Sequence, residues 1–179
     1  MKSYVARVLF VACIVLGGIT ASAIPIAVDG LEDWSGNGQP YTDILYASVD
    51  EIGDDFVFTM ALDGAVPHAP ATYVCYGFEV FLDAGSRKLT VGAGCTDCQE
   101  GVWNPTVDEY SVENTLLQSR GLPTSAMYIS YNIVQFVVPS HLLGDPTEFM
   151  WRATTHYDTG TGDAPDDAPN RVMLLWRAQ

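Results

Sequence analysis

The sequence predicts an all-β fold, a sandwich of two antiparallel sheets of the jelly-roll or immunoglobulin-like kind with about nine strands. Three observations carry that expectation. Apolar residues alternate with period two along most of the chain. Clusters of Gly, Asp and Pro interrupt the alternation at short intervals. Only two short stretches, residues 112–120 and Ser140–Leu143, read as helical. One-sided alternation fits strands with one face on a core and the other in water.

The chain opens on a leader, residues 1–23, with Lys2 and Arg7 ahead of an apolar run that closes on Ala21-Ser22-Ala23. These are the three parts of a secretory signal peptide. The apolar run is about 12 residues, short of the roughly 20 that span a bilayer, and no later segment is long and apolar enough to do so. The expected product is one exported domain from Ile24 to Gln179, placed outside the cell, on its surface or in a periplasm. Loss of Lys2 and Arg7 takes the formal charge from -14 to -16. Such an excess argues against nucleic acid and anionic membrane surfaces as partners.

Ile24, Ile26 and Val28 read as an edge strand entering the sandwich. Asp29-Gly30 then turns the chain, Trp34 plugs one end of the core, and the polar segment 35–42 crosses to a strand over 42–50. "DFVFTMAL" sets Phe56, Phe58, Met60 and Leu62 on one face. In "YVCYGFEVFLD", Val74, Tyr76, Phe78, Val80 and Leu82 share a face and Cys75 points away from the core. Further strands are expected over 87–93, 107–112 and 126–131. "IVQFVV" groups Val134, Phe136 and Val138, and "EFMWRATTHY" groups Phe149, Trp151, Ala153, Thr155 and Tyr157 against Arg152, Thr154 and His156. "RVMLLWR" closes the chain with Val172, Leu174 and Trp176.

Three cysteines follow the leader, and pairing is the default for an exported protein. The expected bridge joins Cys75 to Cys95 or Cys98, closing a loop of about 20 residues worth roughly 3 kcal/mol. The rival bridge is Cys95 with Cys98, leaving Cys75 free. No thioredoxin-like context surrounds this CxxC, zinc lacks a fourth ligand nearby, and Gln99 stands where a c-type haem would need His. No Gly-x-Ser-x-Gly, HExxH or phosphate loop is present, so the chain is not expected to be an enzyme.

In order along the chain, "VDGLEDW", a strand opening on "DI", "YGFEVFLD", "VVPSHLLG" and "YDTGTGDAPDDAP" form a set. With it the chain resembles the DOMON-like superfamily and, within it, the β-sandwich of family-nine carbohydrate-binding modules. The resemblance spans nearly the whole exported part. It implies a sandwich that binds sugar or haem, or serves as an accessory domain of secreted and surface proteins.

For a glycan or envelope polysaccharide, Trp103 in "QEGVWNPT" is the ring best placed to stack on a sugar, with Tyr41 and Tyr110 to flank it. The competing role for Trp103 is a loop plug over the outer face of a sheet. A haem would draw its axial ligands from Met60, Met127, Met150, Met173, His68, His141 and His156, but no spacing pairs two of them, and haem is not expected. A third role is assembly with other surface proteins through strand edges. Asp158, Asp163, Asp166 and Asp167 offer oxygens for a structural calcium ion. The competing reading is a solvated acidic loop.

Overall fold

A computed structural model describes residues 26–28, 39–158, 166–169 and 173–178. The leader, the Trp34 box, Asp163 and Val172 lie outside the described residues. Twelve strands and one short helix are described, as two antiparallel sheets packed face to face. The first sheet has the order β1-β2-β3-β9-β8: β1 Ile26–Val28, β2 Ile44–Ile52, β3 Asp55–Leu62, β9 Ile133–Pro139 and β8 Met127–Ser130. The second runs β11-β10-β4-β5-β6-β7: β11 Asp166–Ala168, β10 Glu148–Tyr157, β4 Val74–Leu82, β5 Arg87–Asp97, β6 Val102–Tyr110 and β7 Leu116–Gly121. β12, Leu174–Arg177, extends the β11 side by pairing the other half of β10. The chain crosses between the sheets after β3, after β7 and, through α1 at Ser140–Leu143, after β9.

Alternation places the core as expected. Phe56, Phe58, Met60 and Leu62 of β3 are buried, as are Val74, Tyr76, Phe78, Val80 and Leu82 of β4. Val134, Phe136 and Val138 of β9 join them with Phe149, Trp151 and Ala153 of β10. Rings interlock across and along the sheets: Phe58 meets Phe78 of the facing sheet at 5.2 Å between centroids, and Phe78 meets Trp151 on the neighbouring strand at 6.0 Å. Each such side chain contributes about 1.5–3 kcal/mol by leaving water.

Four expectations are corrected. The stretch 112–120 is not helical: it forms a turn and then β7. Ser111 Oγ accepts hydrogen bonds from the Glu113 and Thr115 amides, both at 3.2 Å, and Asn114 takes a left-handed φ of 59°. Its leucines suggested a helix face, yet Leu116 and Leu117 lie exposed on a sheet edge. Secondly, β11 joins the sheet from a segment read as an acidic loop. Thirdly, β6 begins at Val102, so Trp103 belongs to a strand and not to a loop.

The fourth correction concerns the cysteines. β5 runs on to Asp97 and carries Cys95 on its inner, buried face. Cys75 lies on the outer face of β4, opposite Gly94. Side chains on opposite faces of one sheet cannot bridge. Cys95 is joined instead to Cys98 across the β5–β6 turn, with Cα atoms 5.1 Å apart, and Cys75 is a free thiol. Burial pushes that thiol up to about 11, which suppresses its thiolate.

Candidate functional site

The inner face of β6 carries Trp103 opposite Cys95, near one end of the sandwich. One neighbour of its indole is the Tyr76 ring, 5.5 Å away and tilted by 35°. Tyr76 is itself fully buried, and its hydroxyl donates to the Tyr41 carbonyl at 2.9 Å. Beyond Trp103 the sheets do not close. A cleft of about 500 Å³ opens between β6 and β8, with Trp103 and Val102 on one wall and Met127 and Ile129 on the other. Its mouth is edged by Val66, Pro67 and His68 from the β3–β4 loop, and by Gly101, Thr124 and Tyr131.

Long-range contacts hold that loop in place. The Gly64 amide donates to the Pro40 carbonyl at 2.8 Å, and the Val66 amide to the Tyr131 carbonyl at 2.8 Å. Gly101 has a φ of +66°, and a side chain there would run into the His68 carbonyl and ring. Glycine therefore serves twice at this position, for its backbone angle and for the close approach of the histidine. Tyr131, at φ 56° and 75% exposed, is a bulky residue in left-handed backbone at the cleft mouth. Strain of this kind persists where the surroundings impose it, often at binding sites. Here Tyr131 opens the two-residue turn between β8 and β9, and its neighbour Asn132 donates from Nδ2 to the Leu62 carbonyl at 2.7 Å.

The lining is an aromatic ring, aliphatic walls and three polar side chains, His68, Thr124 and Tyr131; none is a carboxylate. Such a surface accepts a ligand with an apolar face and hydroxyl edges.

A second concavity of about 560 Å³ lies at the opposite end, between the 83–87 and 144–148 turns. Its charged groups are tied to protein partners. Arg87 meets Glu109 at 3.1 Å and Asp83 at 3.7 Å, and Ser140 Oγ donates to Asp145 at 2.6 Å.

Of the three predicted platform residues, only Trp103 lines the cleft. Tyr41 sits at the same end but packs edge-on against Tyr157 at 6.1 Å, and burial pushes its hydroxyl up to about 12. Tyr110 is on the opposite, outer face of β6, where the Lys88 ammonium lies 5.7 Å from its ring centroid. Of the predicted calcium carboxylates, Asp163 lies outside the described residues, and Asp158, Asp166 and Asp167 have protein partners. Buried Asp166 accepts the Ile44 amide at 2.7 Å and the Asp167 amide at 3.0 Å, while Asp167 pairs with Arg152 at 3.1 Å. Asp158 ends β10 beside Tyr73, whose carbonyl accepts its amide at 3.1 Å. Among the described residues no three His, Cys, Asp or Glu side chains are grouped to hold a metal ion, and no helix is long and apolar enough to cross a membrane.

No protein-family model, curated protein or solved structure matches this chain. Any functional reading therefore rests on the cleft and its residues. Pro67 and His68 went unread as cleft residues because a Pro-flanked loop carries no periodicity to say where it folds; only the facing Pro67-His68-Ala69-Pro70 run marked it as stiff.

Proposed function

We propose that this protein is an exported, non-catalytic binding module whose ligand is a carbohydrate, held against Trp103 in the cleft between β6 and β8. The observation that carries the reading is Trp103 itself, half-buried on Tyr76 and lining an apolar cleft with polar groups at its mouth. A pyranose offers the matching surface, an apolar face and a rim of hydroxyls. The resemblance to family-nine carbohydrate-binding modules supports the same ligand class, and the leader with the Cys95–Cys98 bridge supports export. An envelope polysaccharide is the natural partner of such a module.

Glycan-array screening followed by calorimetry on the best oligosaccharide tests this. Binding should quench or shift tryptophan fluorescence, and Trp103→Ala should abolish it while the protein still melts cooperatively. An array with no hits, or wild-type affinity in Trp103→Ala, overturns the reading. A second reading has one observation in its favour: His68 and Met127 line the same cleft. Both are residue types that could ligate a haem iron, the aliphatic walls would cover its ring, and electron transfer is the chemistry haem would supply. Haem titration decides it. A Soret shift lost in both His68→Ala and Met127→Ala supports haem, and an unchanged free-haem spectrum rules it out.

A further inference from the structure

From Asn114 to Gly144 the chain carries no Asp or Glu, although Asp and Glu make up 22 of its 179 residues. This acid-free segment contains β7, β8 and β9. β7 and β8 are the terminal strands of their sheets, and both lie on the flank where the cleft opens. Among the described residues β7 pairs only with β6, so its other side presents unpaired backbone groups. Leu116 is 52% exposed and Leu117 is 63% exposed; Val112, Tyr128 and Tyr131 extend the apolar surface.

The usual safeguards of a sheet edge are shortness, charge and proline. The other flank has them: β1 and β11 are three residues each, and β11 begins Asp166-Asp167. β7 is six residues long. Its single charged residue, Arg120, is turned onto the Leu142 carbonyl at 3.0 Å and Gln118 at 2.7 Å. The ladder slips between Glu109 and Tyr110, leaving Leu117 as an extra residue that stands out from the edge. Glu113 is exposed in the turn before β7, and the carboxylates of the neighbouring strand are tied down: Asp108 by Thr106 and Ser119, Glu109 by Arg87.

We infer that β7 is the interface of a two-fold dimer, in which it pairs antiparallel with β7 of a second copy and joins the two larger sheets edge to edge. Charge selects the occupant. A basic partner is drawn to the acidic faces, not to an uncharged flank. Another copy carries the same formal charge of -14, and the acid-free flank lets two copies meet without carboxylate facing carboxylate. A two-fold axis also brings Leu117 against Leu117, covering the apolar side chains that one copy leaves in water.

Because the β7 edge carries no carboxylate, its one cation is held by its own chain, and the copies repel, salt should tighten the dimer, the reverse of an ion-paired interface. Sedimentation equilibrium on the purified protein, from micromolar to near-millimolar concentration, should show a monomer–dimer equilibrium that shifts toward dimer between about 0.05 and about 0.5 M salt. Leu117→Asp and Leu117→Lys should each be monomeric with wild-type melting, since the position is exposed. Mixing the two variants should restore a dimer, which two independent surfaces would not do. Val28→Asp, on the opposite flank, should dimerise as wild type does. A wild-type protein that stays monomeric at high salt overturns the inference, and so does a Leu117→Asp protein that still dimerises.

Discussion

The two ends of the sandwich use aromatic side chains in opposite ways. At one end Phe56, Phe149 and Trp176 fill the space between the sheets, with centroids 4.8, 4.9 and 5.3 Å apart in the three pairings. At the other, Trp103 has the Tyr76 ring as its aromatic neighbour and leaves a cleft of about 500 Å³ beyond it. Tryptophan closes the core at one end and lines a cleft at the other. Stability should therefore concentrate at the Trp176 end and ligand binding at the Trp103 end.

The largest test of that contrast is a pair of truncations. Trp176→Ala empties a packed cluster and should cost on the order of 3–5 kcal/mol, as large core truncations do. A domain of about 5–15 kcal/mol total stability would lose much of its margin. Trp103→Ala removes a half-buried ring and should cost less than half as much, about 1–2 kcal/mol, while ending ligand binding. Urea melts of both variants check this; equal losses would break the contrast.

Glu79 supplies a control away from either end. On the outer face of the second sheet it meets Lys88 and Arg152, each at 2.5 Å, and Arg152 continues to Asp167 at 3.1 Å. Burial pushes the Glu79 carboxyl up, but hydrogen bonds and charge from Lys88 and Arg152 outweigh it and hold the group below its ordinary value. A lowered folded-state pKa stabilises the fold above the unfolded Glu value of about 4.3, and that contribution is lost as pH falls through the folded value. Glu79→Gln should cost about 1–3 kcal/mol at neutral pH, discounted for the partial exposure of all three groups. It should also flatten the acid side of the stability–pH curve and leave ligand affinity unchanged. A loss of affinity would mean that the outer face takes part in binding.

A smaller effect is expected at Gly101. Gly101→Ala strains a left-handed backbone and displaces His68, costing about 1–2 kcal/mol. Ligand affinity should fall with it, whereas Gly53→Ala, in left-handed backbone with open space around it, should lower stability alone. Thermal melts and calorimetry on the two variants separate strain from displacement. Calcium should have the smallest effect. Protein donors already hold Asp166 and Asp167, two of the carboxylates the ion would need among its six to eight oxygens. Titrating chelated protein to millimolar calcium should move the melting temperature by less than about one degree, and a clear rise would place an ion in that loop.

The core was legible in β3, β4, β9 and β10 because their large apolar side chains recur at every second residue, a property of neighbouring residues. β7 was not legible, since its leucines sit in water and obey no burial pattern. The N-terminal part of β6 was hidden by "NPT": Pro105 looks like a strand breaker, yet it faces Ala93 in the ladder and its carbonyl accepts the Leu122 amide at 2.8 Å. The cysteine pairing turned on a small extension. Reading β5 to residue 93 left Cys95 in a loop within reach of Cys75, whereas the strand continues to Asp97 and sends the two thiols to opposite faces.

By itself the sequence determined the two-sheet architecture and which residues of the central strands face inward. These follow from chemistry repeated at a fixed spacing along the chain. Only the tertiary structure decided where Trp103 lies. The cleft is assembled from residues near 66, 101, 124 and 131, segments brought together by sheet pairing and by hydrogen bonds such as Val66 to Tyr131. Whether rings fill the space between two sheets depends on how those distant segments meet, and no local pattern encodes that meeting.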